Sequence, residues 1–409
     1  MNYSLCSQEK IEIPGKIQSF GYIIGIDTSF KIQFYSENIY SLFNINENIL
    51  DKSIQYIPLI SDWLKTININ ESINITAELF NINSCLHYID LKFYNNQYHI
   101  SLEKIVKTEN ITGSRILEID HYENIINYED LWNNLLQDIH HKIGYDRMMI
   151  YQFLEDGSGK VIAEKKISSV ESFLNLHYPK NDIPEQAKNL YLKQKRRIFS
   201  NVNSKEILLV SKHKNIDLSY FDSRSMSSIH RQYLINTNIE SSFSTSIIID
   251  GKLWGLVTCQ NNNYKHIDLR DRIYSELLTN CVSKSYSILR SKNRNDYNLK
   301  IDKEIFEIKK NISFCDDINI GIKDNLNNFI DLVEADGAVF VNDDKILKKG
   351  HTPSNVKILD IINWYKNNFI NENEIHIDRS FAFKNPNLVD DLKETAGIVI
   401  NEINREQKK

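Results

Sequence analysis

The most reactive side chains in this 409-residue sequence are five thiols, Cys6, Cys85, Cys259, Cys281 and Cys315, none of them in a C-x-x-C pair. An odd number at wide spacing builds neither a disulfide framework nor a zinc site, and thiols in a reducing compartment stay reduced. The sequence holds no G-x-S-x-G, no H-E-x-x-H and no Walker loop, so an enzyme is the weakest reading. Taken singly, the other polar candidates have bland explanations. Arg197 lies in a K-R-R run that suits a solvated helix face, and Asp182, just before Ile183-Pro184-Glu185, suits a helix N-cap. His230 alone reads as a satisfied core or surface histidine. Met149 and Tyr151 at strand spacing read as core, and the serines of SSFSTS, among them Ser242 and Ser244, as strand surface.

The elements that must position these residues fall into an α+β pattern with antiparallel sheets. Residues 1–107 are strand-rich: GYIIGI and KIQFYS flank a turn at Asp27-Thr28, and residues 86–105 alternate about an Asn95-Asn96 turn, with short helices at NIYSLF and SDWLKTI between the pairs. Residues 115–290 form a second module. An amphipathic helix over 127–144 carries Leu131, Leu135 and Ile139 on one row and ends at Gly144. A strand–turn–strand unit follows at DRMMIYQFLEDGSGKVIAEKK, then a helix over 182–196 and a hairpin over 241–260 about Asp250-Gly251. From 267 to 312 runs a long helical pattern with Ile273, Leu277 and Cys281 in one row and Leu278, Val282 and Leu289 beside it. Such a helix connects modules and can pack on its own copy in a homodimer. Residues 313–409 begin a third module.

Composition excludes several classes. Lys+Arg 49 against Asp+Glu 54 gives a net charge of −5, which does not suit a nucleic-acid backbone. Apolar residues at 41% fit a globular chain. No apolar run is long enough to span a bilayer, and the start MNYSLCSQEKIEIPG has no signal-peptide pattern, so the expected location is the cytoplasm.

Five segments, in order, give the sequence its likeness: CSQEKIEIPGKIQSFG, GYDRMMIYQFLEDGSGKVIAE, YPKNDIPEQAKNLYL, SRSMSSIHRQYL and DGKLWGLVTCQ. Together they resemble the photosensory part of a bacteriophytochrome across nearly the whole chain, as a PAS module (1–107), a GAF module (115–290), the connecting helix (267–312) and a partial PHY module (313–409). The resemblance implies a red/far-red photoreceptor that holds a linear tetrapyrrole, biliverdin IXα, as a thioether to Cys6 and signals through isomerisation of the D-ring. Ile229 occupies the place where plant and cyanobacterial relatives carry their attachment cysteine, which favours biliverdin over a more reduced bilin. Arg197 and Arg224 match the propionate-binding arginines, whose planar forks suit carboxylates. Ser227, Ser242 and Ser244 match hydroxyls at the same carboxylates. Asp182, with Ile183 and Pro184, and His230 match the pyrrole-nitrogen network. Met149, Tyr151, Phe173, Tyr178, Tyr191 and Tyr233 match residues around the rings.

Departures from the family pattern sharpen the alternatives. Gln260 stands where the family usually has a histidine at the D-ring carbonyl, Phe173 replaces a tyrosine, and Ser19-Phe20 replaces Pro-His. The sequence is also expected to stop before the PHY tongue and any kinase region, so that no output activity is expected of this stretch. Two other readings therefore stand beside the photoreceptor: a degenerate bilin-binding sensor that does not photoconvert, and a PAS–GAF interaction scaffold without chromophore. The downstream partner is left open.

Overall fold

A computed structural model describes residues 9–70, 72–106, 120–342, 345–369, 375–390 and 395–402. The chain divides into two compact units, one up to Arg290 and one from Ser291.

The first unit contains two sheets. Its early strands are β1 (Lys16–Gln18), β2 (Gly21–Asp27), β3 (Ile32–Ser36), β4 (Asn74–Ile82), β5 (Cys85–Tyr94) and β6 (Gln97–Lys104), with helices α1 (Ile39–Phe43) and α2 (Pro58–Thr66). The β5–β6 turn is the expected Asn95-Asn96, both at positive φ (50° and 57°), the geometry that lets two strands reverse without splaying. Ile24, Ile26, Ile89, Leu91 and Ile100 fill one face of this sheet against Ile60 and Leu64 of α2.

The later elements are α3 (Tyr128–Ile143), β7 (Arg147–Phe153), β8 (Gly159–Lys166), β9 (His177–Tyr178), α4 (Glu185–Lys193), β10 (Arg196–Phe199), β11 (Glu206–Ser211), α5 (Ser228–Asn236), β12 (Ser241–Ile249), β13 (Lys252–Asn261) and α6 (Leu269–Ser313). Helix α3 starts where the Asn127 side chain accepts from Asp130 N at 2.8 Å and stops at Gly144 in the left-handed region. The six-stranded order is β10-β12-β13-β7-β8-β9. Its two faces separate by strand alternation. Met148, Ile150, Phe243, Ile247, Val257 and Cys259 pack on α3 and on Leu278 and Val282 of α6. Arg147, Met149, Tyr151, Thr258, Gln260, Ser242 and Ser244 lie in register on the other face, beside Arg197.

One strand crosses between modules. β11, from the later half, inserts between β1 and β3, so the other sheet has seven strands in the order β1-β11-β3-β2-β6-β5-β4. The N-terminal segment is fastened beside it. Leu218 N donates to Glu12 O (2.8 Å), Leu209 N to Gly15 O (3.1 Å) and Gln18 N to Ser223 O (2.7 Å). The Gln18 amide bridges Ile198 O (2.9 Å) and Arg224 O (3.2 Å) and accepts from Ser200 N (3.2 Å). A buried ion network adds to the joint. Glu103 of β6 receives Arg272 of α6 and, at 3.0 Å, the His266 ring, while Asp222 accepts from Arg196 at 2.8 Å and Glu276 from Arg196 at 2.7 Å.

Two expectations are corrected. The helix over 182–196 is shorter, Glu185–Lys193, because a residue before proline is pushed toward extended backbone; Ile183 has φ −121° and ψ 97°. Asp182 is therefore in a preceding 3-10 turn and not the N-cap, and the K-R-R run leaves the helix to enter a buried strand. On α6, Leu278 and Val282 are buried, whereas Leu277 is 47% exposed.

In the second unit α7 (Ile318–Val333) precedes the hairpin β14 (Gly337–Asn342) and β15 (Lys345–Gly350). Then follow α8 (Asn355–Asn368), β16 (His376–Asp378), α9 (Phe381–Lys384) and β17 (Ile398–Ile400), with Ile361, Phe381 and Val389 in its core. No described helix is long and apolar enough to cross a membrane.

Candidate functional site

The polar face of the six-stranded sheet, roofed by α4 and α5, gathers most of the candidate residues. At one end are two cations. Arg197 is buried, and its guanidinium donates to three carbonyls, Asp222 O (3.3 Å), Arg224 O (2.6 Å) and Ser225 O (2.8 Å). Arg224 is equally buried, donates Nη1 to Ile11 O at 3.0 Å and leaves Nε without a partner. Among the described residues neither has a carboxylate at ion-pair distance. Burial, with each guanidinium's neighbours too weak to offset it, pushes Arg224 down to about 10 and Arg197 well below its ordinary value; Arg224 itself depresses Arg197 further. Two unpaired buried cations are costly, and an anionic ligand would remove that cost.

Tyr191 and Ser244 stand next to them. Their hydroxyls are 2.8 Å apart, and both guanidiniums lie within electrostatic reach of the phenol. Ser246 Oγ donates to Tyr191 O at 2.7 Å and fixes the end of α4 on β12. Ser242 is half-buried opposite Gln260 and Phe199. Ser227 is the N-cap of α5: its hydroxyl accepts from His230 N at 3.0 Å, so it sets the first turn that carries His230.

His230 marks the middle. Its ring lies 5.4 Å from Phe199 and 6.0 Å from Tyr233, stacked on the latter at 19°. The residue is exposed, yet burial is the chief cause that pushes its pKa to about 4, with Arg197 adding to it. Both hold when a ring faces a hollow inside the protein. Asp182 shows the same pairing, an exposed side chain whose carboxyl is raised by burial.

The far end is aromatic. Tyr151 lies 5.7 Å from Tyr178 and 5.3 Å from Phe153. Met149, Val161, Phe173 and Ile183 complete that cluster, and Pro184 sits just beyond at the start of α4. Burial raises the Tyr151 phenol, and Asp182, Tyr178 and Tyr233 raise it further, which places all four groups near one another. Gln260 closes this end, its Oε1 accepting from Arg147 Nη1 at 3.0 Å. Thr258 Oγ1, on the same face, is buried without a partner. Cys6 lies outside the described residues. Its neighbour in sequence Glu9 is placed: Glu9 Oε1 accepts from Ser228 N (2.9 Å) and Ser228 Oγ (3.0 Å) at the start of α5.

Sequence reading missed Arg147 and Gln18. Arg147 was visible only as a charged residue in an otherwise apolar strand, and Gln18 gave no signal apart from its place after Ile17.

The hollow therefore runs from a cationic, hydroxyl-lined end past His230 to an aromatic end. The order of elements, two antiparallel sheets with the long helix α6 behind the second, defines an α+β module of the PAS–GAF class. Family profiles match in order: PAS fold over residues 6–86, GAF domain over 127–276 and Phytochrome region over 307–409. Cyanobacterial phytochrome A from Nostoc sp. is 27% identical over 390 residues, which cover 90% of this chain and 51% of that protein. A bacteriophytochrome from Pseudomonas aeruginosa is 27% identical over 296 residues, 68% of this chain and 40% of its own length. The chain thus spans about half, or less, of these relatives. A crystal structure of a bacteriophytochrome from R. palustris superposes with a TM-score of 0.82 at 21% identity, covering 98% of this chain and 84% of that one. The photosensory core module of Stigmatella aurantiaca phytochrome gives 0.75 at 22%, covering 93% and 79%. The chain belongs to the phytochromes and is a photosensory module of that family.

Proposed function

We propose that this chain is a red/far-red photoreceptor that holds biliverdin IXα in the hollow, attached through Cys6. The observation that carries the reading is the pair of buried guanidiniums, Arg197 and Arg224, with no carboxylate partner among the described residues. Propionates of the pigment would supply the missing anions, with the Tyr191, Ser242 and Ser244 hydroxyls beside them. His230 and Asp182 would face the pyrrole nitrogens. A neutral imidazole is the form that burial enforces, so His230 can accept a proton-bearing donor without adding charge beside Arg197. Tyr151, Tyr178, Tyr233, Met149 and Phe173 would enclose the opposite end. When bound, the pigment supplies light absorption and a double bond that isomerises. The residues here bind its carboxylates, exclude water from its rings and read its carbonyl end.

The attachment is consistent with chain reach. Three residue steps lead from Cys6 to Glu9, at most about 11 Å of backbone, and Glu9 is fastened to the α5 turn that also carries His230. We assign residues 1–107 to the PAS module, 115–290 to the GAF module, 267–312 to the connecting helix and 313–409 to the PHY module. Two copies would associate through α6, whose Ile288, Leu299 and Phe306 are exposed at 70%, 68% and 63% and recur at spacings that keep them on one stripe. The cytoplasm would be its location.

The test is an absorption spectrum of the biliverdin-incubated protein before and after red light, with zinc-dependent fluorescence of the denatured band. Covalent fluorescence is expected in the wild type and absent from Cys6→Ala, whose melting temperature should be unchanged. No pigment uptake by the wild type would favour the scaffold reading. Uptake with a spectrum indifferent to light would favour the non-photoconverting sensor, which the amide of Gln260 in place of an imidazole supports.

A further inference from the structure

Arg147 is a buried cation at the aromatic end. It leaves β7 on the polar face of the sheet, level with Gln260. Its guanidinium makes three separate contacts: Nη1 to Gln260 Oε1 at 3.0 Å, Nη2 to Glu171 O at 2.6 Å, and its plane over the Phe173 ring with Cζ 3.6 Å from the centroid. Glu164, 3.6 Å from Arg147 Nε, continues the clamp by accepting from Phe173 N at 2.8 Å and Ser172 Oγ at 2.5 Å. Segment 171–173 and Gln260 are thus held by one side chain. Arg147 also lies within electrostatic reach of Tyr178 and Tyr233, so it belongs to the same enclosure.

The chemistry of the contact settles the orientation of the glutamine. A guanidinium has donors only, so the amide oxygen of Gln260 must face it and the NH2 edge must face away. Among the described residues that NH2 group has no acceptor. It lies on the strand face shared with Ser242, Ser244 and the unpartnered Thr258 hydroxyl.

We propose that Arg147 is the positioning residue that makes Gln260 a fixed hydrogen-bond donor to the terminal carbonyl of the bound tetrapyrrole and clamps Phe173 beside it. The inference rests on the bilin reading above. An unclamped glutamine could turn its oxygen to the pocket and repel the carbonyl; Arg147 removes that choice. Lysine cannot replace it, because a single ammonium does not span Gln260 and Glu171 while lying flat on Phe173.

Two substitutions test this in the full chain loaded with biliverdin. Arg147→Lys keeps the charge beside Glu164 but loses the fork. Gln260→Glu keeps an acceptor for Arg147 and removes the only N–H. In the pigment-loaded fraction, both are expected to displace the red absorption band and to move the terminal carbonyl stretch in resonance Raman spectra to higher wavenumber. Gln260→Asn, a shortened amide that Arg147 can still orient, should restore part of the shift. An upshift in Gln260→Glu without one in Arg147→Lys would remove Arg147 from the role, and unchanged carbonyl bands in both would overturn the donor assignment. If Arg147→Lys does not fold, Arg147→Gln, which can still bond the Gln260 amide but cannot impose its orientation, gives the same decision through a broadened or doubled carbonyl band. Failure of the wild type to take up pigment would instead defeat the bilin reading, and this inference with it.

Discussion

Arg224→Met separates a ligand-binding arginine from a structural one by the sign of its effect. In the pigment-free protein the guanidinium of Arg224 is buried, faces Arg197, and is pushed by that burial to about 10. A drop of that size corresponds to a charging cost on the order of 3 kcal/mol. Methionine keeps most of the volume, so little cavity is left, and the loss is chiefly the bond to Ile11 O, about 1 kcal/mol. The balance favours the variant by about 1–2 kcal/mol, in line with the general finding that buried charges replaced by apolar groups of similar size are neutral or stabilising. In a unit of this size that is a rise of about 2–5 °C in melting temperature. With pigment the sign reverses. A charge-assisted bond to a carboxylate is worth about 1.5–3 kcal/mol, so binding should weaken roughly 10- to 100-fold and the thermal gain on adding biliverdin should shrink. Thermal melts of both proteins with and without biliverdin measure all four numbers. A pigment-free Arg224→Met protein that melts well below the wild type would show that the guanidinium holds the N-terminal segment in place, and the inference from unpaired charge to an anionic ligand would be wrong.

Acid should destabilise the pigment-free fold earlier than its carboxylates alone would. His99 is buried with Nε2 unpartnered beside Tyr94 and Phe221, and burial pushes it to about 4 although Asp217 pulls the other way. The unfolded chain protonates this histidine near 6.5, so stability is full above that pH and falls as pH drops toward 4, by up to about 3 kcal/mol. Urea midpoints from pH 7.5 to 4.5 should decline, and His99→Gln should flatten the decline; a flat wild-type profile contradicts the burial argument. Glu103→Gln should be severe. It strips the fully buried Arg272 of its carboxylate on β6 and removes the partner of His266, for a loss of about 3–5 kcal/mol in urea unfolding, and a loss under about 1 kcal/mol would mean that Asp222 suffices to neutralise Arg272.

Local patterns carried much of the architecture. Helix α3 was legible because Asn127, a 3.6-residue apolar row and Gly144 all agree, and the two-residue turns at Asn95-Asn96 and Asp250-Gly251 because their residue types fit positive φ. What local patterns could not carry was pairing at a distance. EILLVS looks like any short strand, and nothing within residues 206–211 says that it will be inserted between β1 and β3, nearly two hundred residues away. The candidate residues were legible only as a family likeness. Alone, Asp182 read as a cap and Arg197 as a helix surface; both readings assumed a helix that Pro184 delays and that ends at Lys193. Arg147 and Gln18 escaped notice since their meaning lies in the carbonyls they reach, on segments the sequence keeps apart.

The adjacent pair Arg196-Arg197 shows how one short strand serves two purposes. Successive residues of β10 point to opposite faces. Arg196, paired in register with Thr245, goes to the side of α6, where Thr245 Oγ1 meets Thr279 Oγ1 at 2.8 Å and Glu276 and Asp222 receive the guanidinium. Arg197, paired with Ser244, goes to the side of the hollow, where it donates to carbonyls and lies over the Phe199 ring. Asp222 joins the two, taking Arg196 on its carboxylate and Arg197 on its main-chain oxygen. An anion seated on Arg197 would therefore pull on a residue whose side chain is already committed to Arg196 and, at 3.3 Å, to Arg272 of α6. Asp222 is thus shared between the Arg197 end of the polar face and α6, and a pigment held on Arg197, as proposed above, would be coupled to the long helix through that one residue.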